Sequence, residues 1–329
     1  MPIYNHEKQE SMKILHIRNI ANVAYNLSIQ QKDMGHQVVV LDIIKNYTSE
    51  KVDISLDLPM KYSKKDLFNR FKIISANLLQ VVHDGDFDVF HLHDAGIFPK
   101  DIDIPIFFKR YGKVVVHWHG SKLRNHGRTF GSKFADAEIV STPDLLEYAP
   151  DAIWIPNIIP WHGLSKINRN DDRIIIGHAP TNRVYKGTKY FLEAMDQLKK
   201  KYPNVECLLI ENKPHKEAMQ LLQTCDIVVD SIGFYDKRQV GWYGVLTNEA
   251  QQMGIPCCTW IKPGLEHYLE ESSGIVNVTK DNLEQKLEEL ILDEKLRKNL
   301  GGNGRKYVEK VHNNKVICDK LLTVYKVTI

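Results

Sequence analysis

The sequence predicts an α/β protein of two doubly wound domains, each with a parallel sheet between layers of helices. Three observations favour this fold class. At 329 residues the chain exceeds what one hydrophobic core usually supports. From Met12 onward, short apolar runs alternate with amphipathic segments, as strands do when crossover helices join them. The alternation is interrupted at 153–160, "IWIPNIIP", where two prolines indicate a linker.

The first domain is predicted to span residues 1–158 and to open with a strand, a helix and a second strand. These are "MKILHIR", then "NVAYNLSIQQKDM" closed by Gly35, then "QVVVLDI". Buried strands follow in "FDVFHLHD", "KVVVHWHG" and "AEIVST". The residues up to Ser11 precede the periodic pattern and are expected to be an extension.

The second domain, residues 159–312, repeats this alternation. The strands are predicted in "RIIIGHAP", "VECLLIEN", "DIVVDSI" and "PCCTWI". The helices between them are predicted in "TKYFLEAMDQLKKKYP" and "KEAMQLLQTC", and two long helical segments end the chain. Ligands of such sheets bind outside the carboxyl ends of the strands, so functional residues are expected there.

Composition is that of an ordinary folded protein, with 43% apolar and 26% charged residues and a net charge of +3. This charge gives no global field that would favour nucleic acid. No run approaches the roughly 18 apolar residues of a membrane span, and the first residues lack the apolar segment of a signal peptide, so we expect a cytoplasmic protein. The five cysteines show no CxxC spacing and are expected to be reduced core thiols.

Two segments are locally basic. Residues 107–135 hold seven lysines and arginines and no acid. Residues 61–72, "KYSKKDLFNRFK", hold five bases and one acid, with Phe68 and Phe71 on one face of a predicted helix. Such a helix can lie on an anionic membrane surface, but a solvated helix with its phenylalanines packed inward is commoner and is the interpretation favoured here.

Two His-x-His pairs, His91 with His93 and His117 with His119, lie at the ends of predicted strands. Such pairs can hold zinc, so a metal hydrolase is one alternative. We expect no metal, because no set of carboxylates accompanies the histidines. His119, followed by Gly120 at the mouth of a sheet, is the better candidate for a polar group that touches a substrate.

A basic turn, "HAPTNRVYKGT", follows the first strand of the second domain. It places Asn182, Arg183, Lys186 and Gly187 just before a helix. An arginine that binds two oxygens and a lysine that acts as a point charge suit a diphosphate. The P-loop spacing is absent, and a solvated basic turn is the alternative.

A glycine-rich helix start, "GWYGVLTNEAQQMGIPC", follows the third strand of that domain. Gly241, Tyr243, Gly244 and Val245 precede or open the helix, whose backbone N–H groups can bind phosphate oxygens. Glu249, about one turn further on, can accept hydrogen bonds from the two hydroxyls of a ribose. The alternative is that the acid only complements the helix dipole.

In their order and spacing these motifs resemble the retaining glycosyltransferases of family 4. The resemblance covers nearly the whole chain and depends on "GHQVVVLD", "HWHGSKLR", "IPN", "RVYKGTKYFLEA", "GWYGVLTNEAQQMGIPC" and "LRKNLGGNGRKYVEK". It implies the GT-B architecture, in which two Rossmann-like domains face each other across a cleft. It also implies that residues 1–158 bind the acceptor, that residues 159–312 bind the nucleotide sugar, and that the last helix, 313–329, crosses back to the first domain.

The resemblance further implies the reaction. A hexosyl group would move with retained configuration from a UDP- or GDP-type donor to an acceptor hydroxyl, without cofactor or metal, in cell-envelope glycan or glycolipid synthesis. By position, Arg183 and Lys186 resemble the pair that holds the diphosphate, Glu249 the ribose acid, and His119 the histidine near the donor sugar. The loop from Asn19 to Asn22 resembles the one whose backbone approaches the phosphates and the acceptor.

Two positions depart from the family pattern. Gly241 stands where the family usually has a second glutamate, and "RNIAN" replaces a Gly-Gly pair in the N-terminal loop. A sugar-nucleotide binding protein with little turnover and a sugar-nucleotide epimerase on the same fold are therefore the alternative functions. The basic segment at 107–135 flanks His119 and favours an anionic or lipid-linked acceptor at the inner membrane face.

Overall fold

The computed structural model describes residues 10–44, 52–59, 63–94, 96–161, 163–234 and 239–328. The chain divides into two compact units. Unit 1 consists of residues 1–158 and 314–329, and unit 2 of residues 159–313. Most of the predicted N-terminal extension lies outside the described residues.

Parallel strands form one sheet in each unit, and the predicted α/β class is confirmed. In unit 1 they are β1 (Lys13–Ile17), β2 (Gln37–Ile44), β3 (Ile54–Leu58), β4 (Val89–His93), β5 (Lys113–Trp118), β6 (Ala137–Val140) and β7 (Ile153–Trp154). In unit 2 they are β8 (Ile174–His178), β9 (Val205–Leu209), β10 (Ile227–Val229), β11 (Cys257–Thr259) and β12 (Ile275–Asn277). Within the described residues the orders are β3-β2-β1-β4-β5-β6-β7 and β12-β11-β10-β8-β9.

Helices lie between most consecutive strands along the chain, since parallel neighbours need crossover connections. They are α1 (Val23–Asp33), α2 (Leu67–Gly85), α3 (Asp103–Ile106), α4 (Ser121–His126), α5 (Arg183–Lys186), α6 (Thr188–Lys201), α7 (His215–Leu222), α8 (Val245–Gln252), α9 (Leu283–Leu292), α10 (Glu294–Val311) and α11 (Asn314–Thr328). In the part of the chain that the structure describes, no helix has the length and apolar character needed to cross a membrane.

The last helix, α11, belongs to unit 1. Its residues Ile317, Leu321 and Tyr325 are buried in the same apolar cluster as Ile14 and Val89 of the sheet. A helix from the chain terminus therefore supplies part of the core on one face of the unit 1 sheet.

The first residues of the segment predicted as a linker form a short strand. Ile153 and Trp154 form β7, which pairs with β6 through Ile139 and Val140. These two residues extend the sheet edge, and Pro156 follows at a position where a missing backbone N–H ends further pairing.

The favoured interpretation of the basic helix is wrong. In α2, Phe68 is 75% exposed and Phe71 is 50% exposed, although the Phe71 ring lies 4.7 Å from that of Phe98. The buried face of the helix is formed instead by Ile74, Leu78 and Val82. Because the apolar stripe begins after the basic segment, the phenylalanines remain on the surface.

The basic segment at 107–135 is largely neutralised within unit 1. Five of its seven bases make ion pairs with buried or half-buried acids. The pairs are Lys109–Asp136, Lys113–Asp136, Lys122–Asp101, Arg124–Asp144 and Arg128–Glu138. The sequence run without acids is therefore not a surface of unpaired positive charge.

Candidate functional site

The sheet of unit 2 has its switch point between β8 and β10. These strands are neighbours, and the chain continues from β8 to β9 on one side and from β10 to β11 on the other. Loops that follow the carboxyl ends of such neighbours diverge and leave a crevice for a ligand. The turn containing Lys186 follows β8, and Asp230 follows β10 directly.

Asp230 holds Lys186 in this crevice. The carboxylate is fully buried, and its Oδ1 accepts a hydrogen bond from Lys186 Nζ. Its Oδ2 accepts from Gly244 N at 2.9 Å and from Thr247 Oγ1 at 2.8 Å. Burial acts to raise the pKa of Asp230, but Lys186 and these two donors outweigh it and lower the pKa. The acid is therefore ionised and orients the lysine.

The structure brings the two predicted phosphate-binding motifs together. A Cβ placed on Gly244 would lie 3.3 Å from Lys186 Nζ and 3.2 Å from Asp230 Oδ2. Gly244 is the N-cap of α8, and Val245, its first residue, is 51% exposed. An ammonium group and the positive end of a helix dipole thus converge, which is an arrangement that binds anions.

The turn before α6 is shaped by its own residues. Asn182 Oδ1 caps α5 by accepting from Val184 N at 3.0 Å and Tyr185 N at 3.1 Å. Gly187 has φ +71°, and a Cβ there would lie 3.0 Å from Ile232 Cβ. A glycine is therefore required where the chain leaves α5 for α6, directly after Lys186.

Arg183 is oriented by an acid that follows β9. Its Nε donates to Glu211 Oε1 at 2.7 Å and its Nη2 donates to Glu211 Oε2. This two-pronged pair lowers the pKa of the Glu211 carboxyl. The Arg183 side chain is 57% exposed, so the guanidinium lies at the surface of unit 2.

Glu249 lies in α8 with a histidine partner from α7. Its Oε1 is 2.6 Å from His215 Nε2, and the Glu249 side chain is 8% exposed. The hydrogen bond from His215 to Glu249 raises the pKa of the imidazole. The predicted ribose acid is therefore a nearly buried carboxylate with a histidine partner.

The other residues predicted in this segment are inside unit 2. Tyr243 is 3% exposed, and its hydroxyl lies 2.8 Å from Tyr307 Oη and 3.0 Å from His312 Nε2. Its side chain therefore supports α10 rather than facing a ligand. Gly241 accepts a hydrogen bond from Lys262 N at 2.9 Å, and a Cβ at Gly241 would lie 2.6 Å from Lys262 Cβ.

In unit 1, the loop after β1 is a tight turn without glycine. Ala21 and Asn22 have φ values of +48° and +61°. Asn19 Oδ1 accepts from Tyr25 N at 3.0 Å, and Asn19 Nδ2 donates to Asn22 Oδ1 at 3.2 Å. These bonds stabilise the left-handed conformations that a Gly-Gly pair would adopt at no steric cost.

His119 has both ring nitrogens engaged within unit 1. Its Nε2 lies 2.8 Å from His93 Nδ1, and its Nδ1 lies 3.1 Å from Asn157 Oδ1. Burial lowers the pKa of the imidazole, so the ring is neutral at pH 7. The following Gly120, at φ +142°, opens α4, and a Cβ there would lie 2.5 Å from Arg124 Nη1. The role of His119 beside a donor sugar stays a prediction.

Sequence reasoning missed Asp230, Glu211 and His215. Asp230 and Glu211 each lie just beyond the apolar run of a strand, in "DIVVDSI" and "VECLLIEN", which was the available signal. No signal could have paired His215 with Glu249, since 34 residues separate them.

A cavity of about 680 Å³ also occurs in unit 2, away from these residues. It is lined by charged groups of both signs, including Lys166, Arg169, Asp226 and Arg297, near the amino end of β8. Since ligands of parallel sheets bind at the carboxyl ends, we place the candidate site at the switch point and not in this cavity.

Comparison with known proteins supports the fold assignment. No family model matches the chain. A curated relative, the capsular polysaccharide biosynthesis glycosyltransferase CapM of Staphylococcus aureus, is 27% identical over 176 residues, which cover 47% of this chain and 46% of CapM. The chain thus matches less than half the length of that relative.

Solved structures match almost the whole chain. The match to a glycosyltransferase from Rickettsia africae has a TM-score of 0.69 at 14% identity and covers 97% of this chain and 99% of that structure. A sucrose-phosphate synthase from Thermosynechococcus elongatus has a TM-score of 0.67 at 14% identity, covering 95% and 98%. A UDP-GlcNAc 2-epimerase from Neisseria meningitidis, bound to UDP-GlcNAc, has a TM-score of 0.57 at 15% identity, covering 95% and 100%. The predicted GT-B fold is confirmed.

Proposed function

We propose that this protein is a retaining glycosyltransferase of the family 4 type, which transfers a sugar from a nucleotide-diphosphate donor to an acceptor hydroxyl in cell-surface glycan synthesis. The observation that carries the proposal is the convergence of Lys186 Nζ and the N-terminus of α8 at the switch point of the unit 2 sheet. The similarity to the CapM glycosyltransferase and the shared GT-B fold support the same activity.

The donor diphosphate would bind between Lys186 and the first turn of α8. Asp230 fixes the lysine and also fixes the Gly244 N–H, so both groups are positioned before a ligand arrives. In a transfer with this leaving group, negative charge grows on the diphosphate as the glycosidic bond breaks. Pre-oriented positive groups stabilise that charge without reorganisation, which is usually the largest contribution to catalysis.

The donor ribose would bind Glu249, one turn further along α8. A carboxylate that accepts hydrogen bonds from two sugar hydroxyls is the contact used by dinucleotide-binding folds. The Neisseria epimerase of the same fold was solved with UDP-GlcNAc, which makes uridine nucleotides the first donors to test. Donor binding by unit 2 and acceptor binding by unit 1 are part of the same proposal.

Arg183 would exchange partners during the reaction. In the structure its guanidinium is paired with Glu211, and it remains more than half exposed. Exposed ion pairs contribute little free energy, so a diphosphate with two negative charges can replace the carboxylate. The scheme assigns the diphosphate to Lys186, Arg183 and the helix start and includes no metal.

The acceptor is proposed to be carried at a membrane surface. The exposed aromatic residues Phe68 and Phe71 lie on α2 with Arg70 and Lys72, and Lys65 lies in the turn just before this helix. Amphipathic helices with this combination bind anionic lipid surfaces. Sedimentation with phosphatidylglycerol vesicles should recover wild type, and Phe68→Ser should reduce the bound fraction; equal recovery would remove the support for a lipid-linked acceptor.

The activity is tested by incubating the purified protein with UDP-, GDP- and ADP-sugars and simple glycoside acceptors. A glycosylated product whose anomeric configuration matches the donor supports the proposal. An isomerised sugar with free nucleotide and no acceptor consumed would identify an epimerase instead. Binding without any turnover, including hydrolysis, would identify a sugar-nucleotide binding protein.

A further inference from the structure

Five buried or half-buried histidines lie together on one face of the unit 1 sheet. They come from three adjacent strands and the turn after β5, and they are His16, His91, His93, His117 and His119. The strand register places His16 beside His91 and His93 beside His117. Alternate residues of a strand point to the same face, so the pairing collects all five rings in one cluster. The proposed transferase reaction uses at most one of them.

Neutral imidazole is the form that binds metal ions, because its lone pair is available. The rings of this cluster lie close together. The His93 ring centroid is 5.7 Å from that of His117 and 5.1 Å from that of His119, and the His117 and His119 centroids are 4.3 Å apart. The fold thus brings several potential nitrogen ligands within reach of one ion.

A chain of contacts through three of the histidines lacks one hydrogen. It runs from Gln31 Oε1 to His16 at 2.8 Å, to His93 at 3.0 Å, to His119 at 2.8 Å, and to Asn157 Oδ1 at 3.1 Å. Both ends are carbonyl oxygens, which only accept, so four contacts need four N–H groups. Each neutral imidazole carries one N–H group, so the three rings supply only three.

A cation between His93 and His119 resolves this deficit. His119 Nδ1–H then donates to Asn157, His93 Nε2–H donates to His16, and His16 Nε2–H donates to Gln31. His93 Nδ1 and His119 Nε2 are left facing each other with lone pairs, 2.8 Å apart. Outer hydrogen bonds of this kind, from the second ring nitrogen to a carbonyl or another acceptor, are those that orient metal-binding histidines.

His117 supplies the third nitrogen. The residue is 1% exposed, and within the described part of the chain neither of its ring nitrogens has a hydrogen-bond partner. Leaving buried polar atoms unpaired is costly, and their occurrence calls for a specific explanation. One nitrogen each from His93, His117 and His119 lies within 4.8 Å of the others. Turning the Asn157 amide would complete the hydrogen-bond chain without a cation, but it would leave His117 unpaired.

We propose that His93, His117 and His119 form a site for one divalent transition-metal ion of the zinc class in unit 1. Zinc–imidazole bonds are about 2.0–2.1 Å long, which separates two nitrogens on a tetrahedral ion by roughly 3.3 Å. The His93–His119 contact is close to this value and needs only a small opening. His119 is partly exposed and gives an ion a route of entry, with a fourth position for water. The sequence led us to expect no metal because carboxylates are lacking, but three imidazoles suffice.

The test is zinc binding by the full chain after removal of metals with a chelator. Titration calorimetry should give one zinc ion per chain, and cobalt(II) should give the visible absorption of a tetrahedral nitrogen site. His117→Leu should weaken zinc binding by more than about a hundredfold, since loss of outer-shell partners alone costs up to about that much. His83→Gln, at an exposed histidine of the same unit, is the matched control and should bind zinc like wild type.

Thermal unfolding separates loss of the site from loss of the fold. Without metal, His117→Leu should melt at or above the wild-type temperature, because it removes two unpaired buried nitrogens. Zinc should raise the melting temperature of wild type and His83→Gln but not of His117→Leu. Absence of stoichiometric zinc, or equal binding by His117→Leu, would overturn the proposal. Donor binding by unit 2 is measured in a separate experiment. The outcome of the zinc experiments therefore does not decide whether the protein is a transferase.

Discussion

The substitution Glu249→Ala tests the predicted donor contact most simply. Glu249 has an 8% exposed side chain and lies in α8, beyond the Gly244 N-cap that adjoins Lys186. If its carboxylate binds the ribose, the substitution removes hydrogen bonds to a charged group and leaves the diphosphate contacts in place. Nucleotide affinity should fall while the fold is retained.

The expected magnitude follows from the burial of the carboxylate. Hydrogen bonds to charged groups contribute about 1.5–3 kcal/mol, which corresponds to roughly a 10- to 150-fold rise in Kd. The effect on stability should be modest, because His215 is 61% exposed and regains contact with water when Glu249 is removed. Glu249→Ala is thus predicted to weaken nucleotide binding without a comparable loss of stability.

The assay is titration calorimetry with UDP and UDP-sugars, with thermal unfolding of each variant measured without ligand. Glu217→Ala is the matched control, since this acid pairs with Lys213 on the surface of α7. It should leave the Kd within about twofold of wild type. If Glu249→Ala also leaves the Kd within that range, the carboxylate does not bind ribose and only supports α8.

Three further predictions concern residues of unit 2. Arg183→Ala should lower the single-turnover rate by more than it weakens ground-state donor binding, since diphosphate charge grows in the transition state, and equal losses would contradict this. Gly241→Glu should destabilise the protein by about 1–3 kcal/mol in urea unfolding, because its Cβ would meet Lys262 at 2.6 Å, whereas unchanged stability would refute the clash. Glu249 raises the pKa of His215, so the pair makes its full contribution to the stability of the fold below the unfolded pKa of 6.5. This contribution is lost as the pH rises through the folded pKa. The stability difference between wild type and His215→Gln should therefore shrink on going from about pH 5.5 to about pH 8.5, and a constant difference would contradict the pairing.

The fold followed closely from the sequence because its signals are local. Buried β runs such as "KVVVHWHG" and amphipathic helices such as "TKYFLEAMDQLKKKYP" became β5 and α6 within a few residues. The alternation of these patterns specifies parallel sheets, since parallel neighbours need crossover connections. The exposure of the phenylalanines of α2 was not predicted, because it depends on which face of the helix packs against the sheet. The sequence of the basic segment does not indicate that face.

The candidate site was predicted only in part, since its partners are distant in sequence. Lys186 and Glu249 could be singled out by motif, but their contacts with Asp230 and His215 depend on the order of strands in the sheet. Gly241, where the sequence resemblance leads one to expect a glutamate, also has a packing environment that no motif shows. The backbone there packs against Lys262, so the position accepts no side chain without local rearrangement.

The most direct test of the proposed donor site is a crystal structure of the protein with a bound UDP-sugar or UDP. We predict that the diphosphate lies between Lys186 Nζ and the N-terminus of α8, with the ribose hydroxyls on Glu249. A nucleotide bound elsewhere would contradict it, for example in the charged cavity around Arg169 at the amino end of β8.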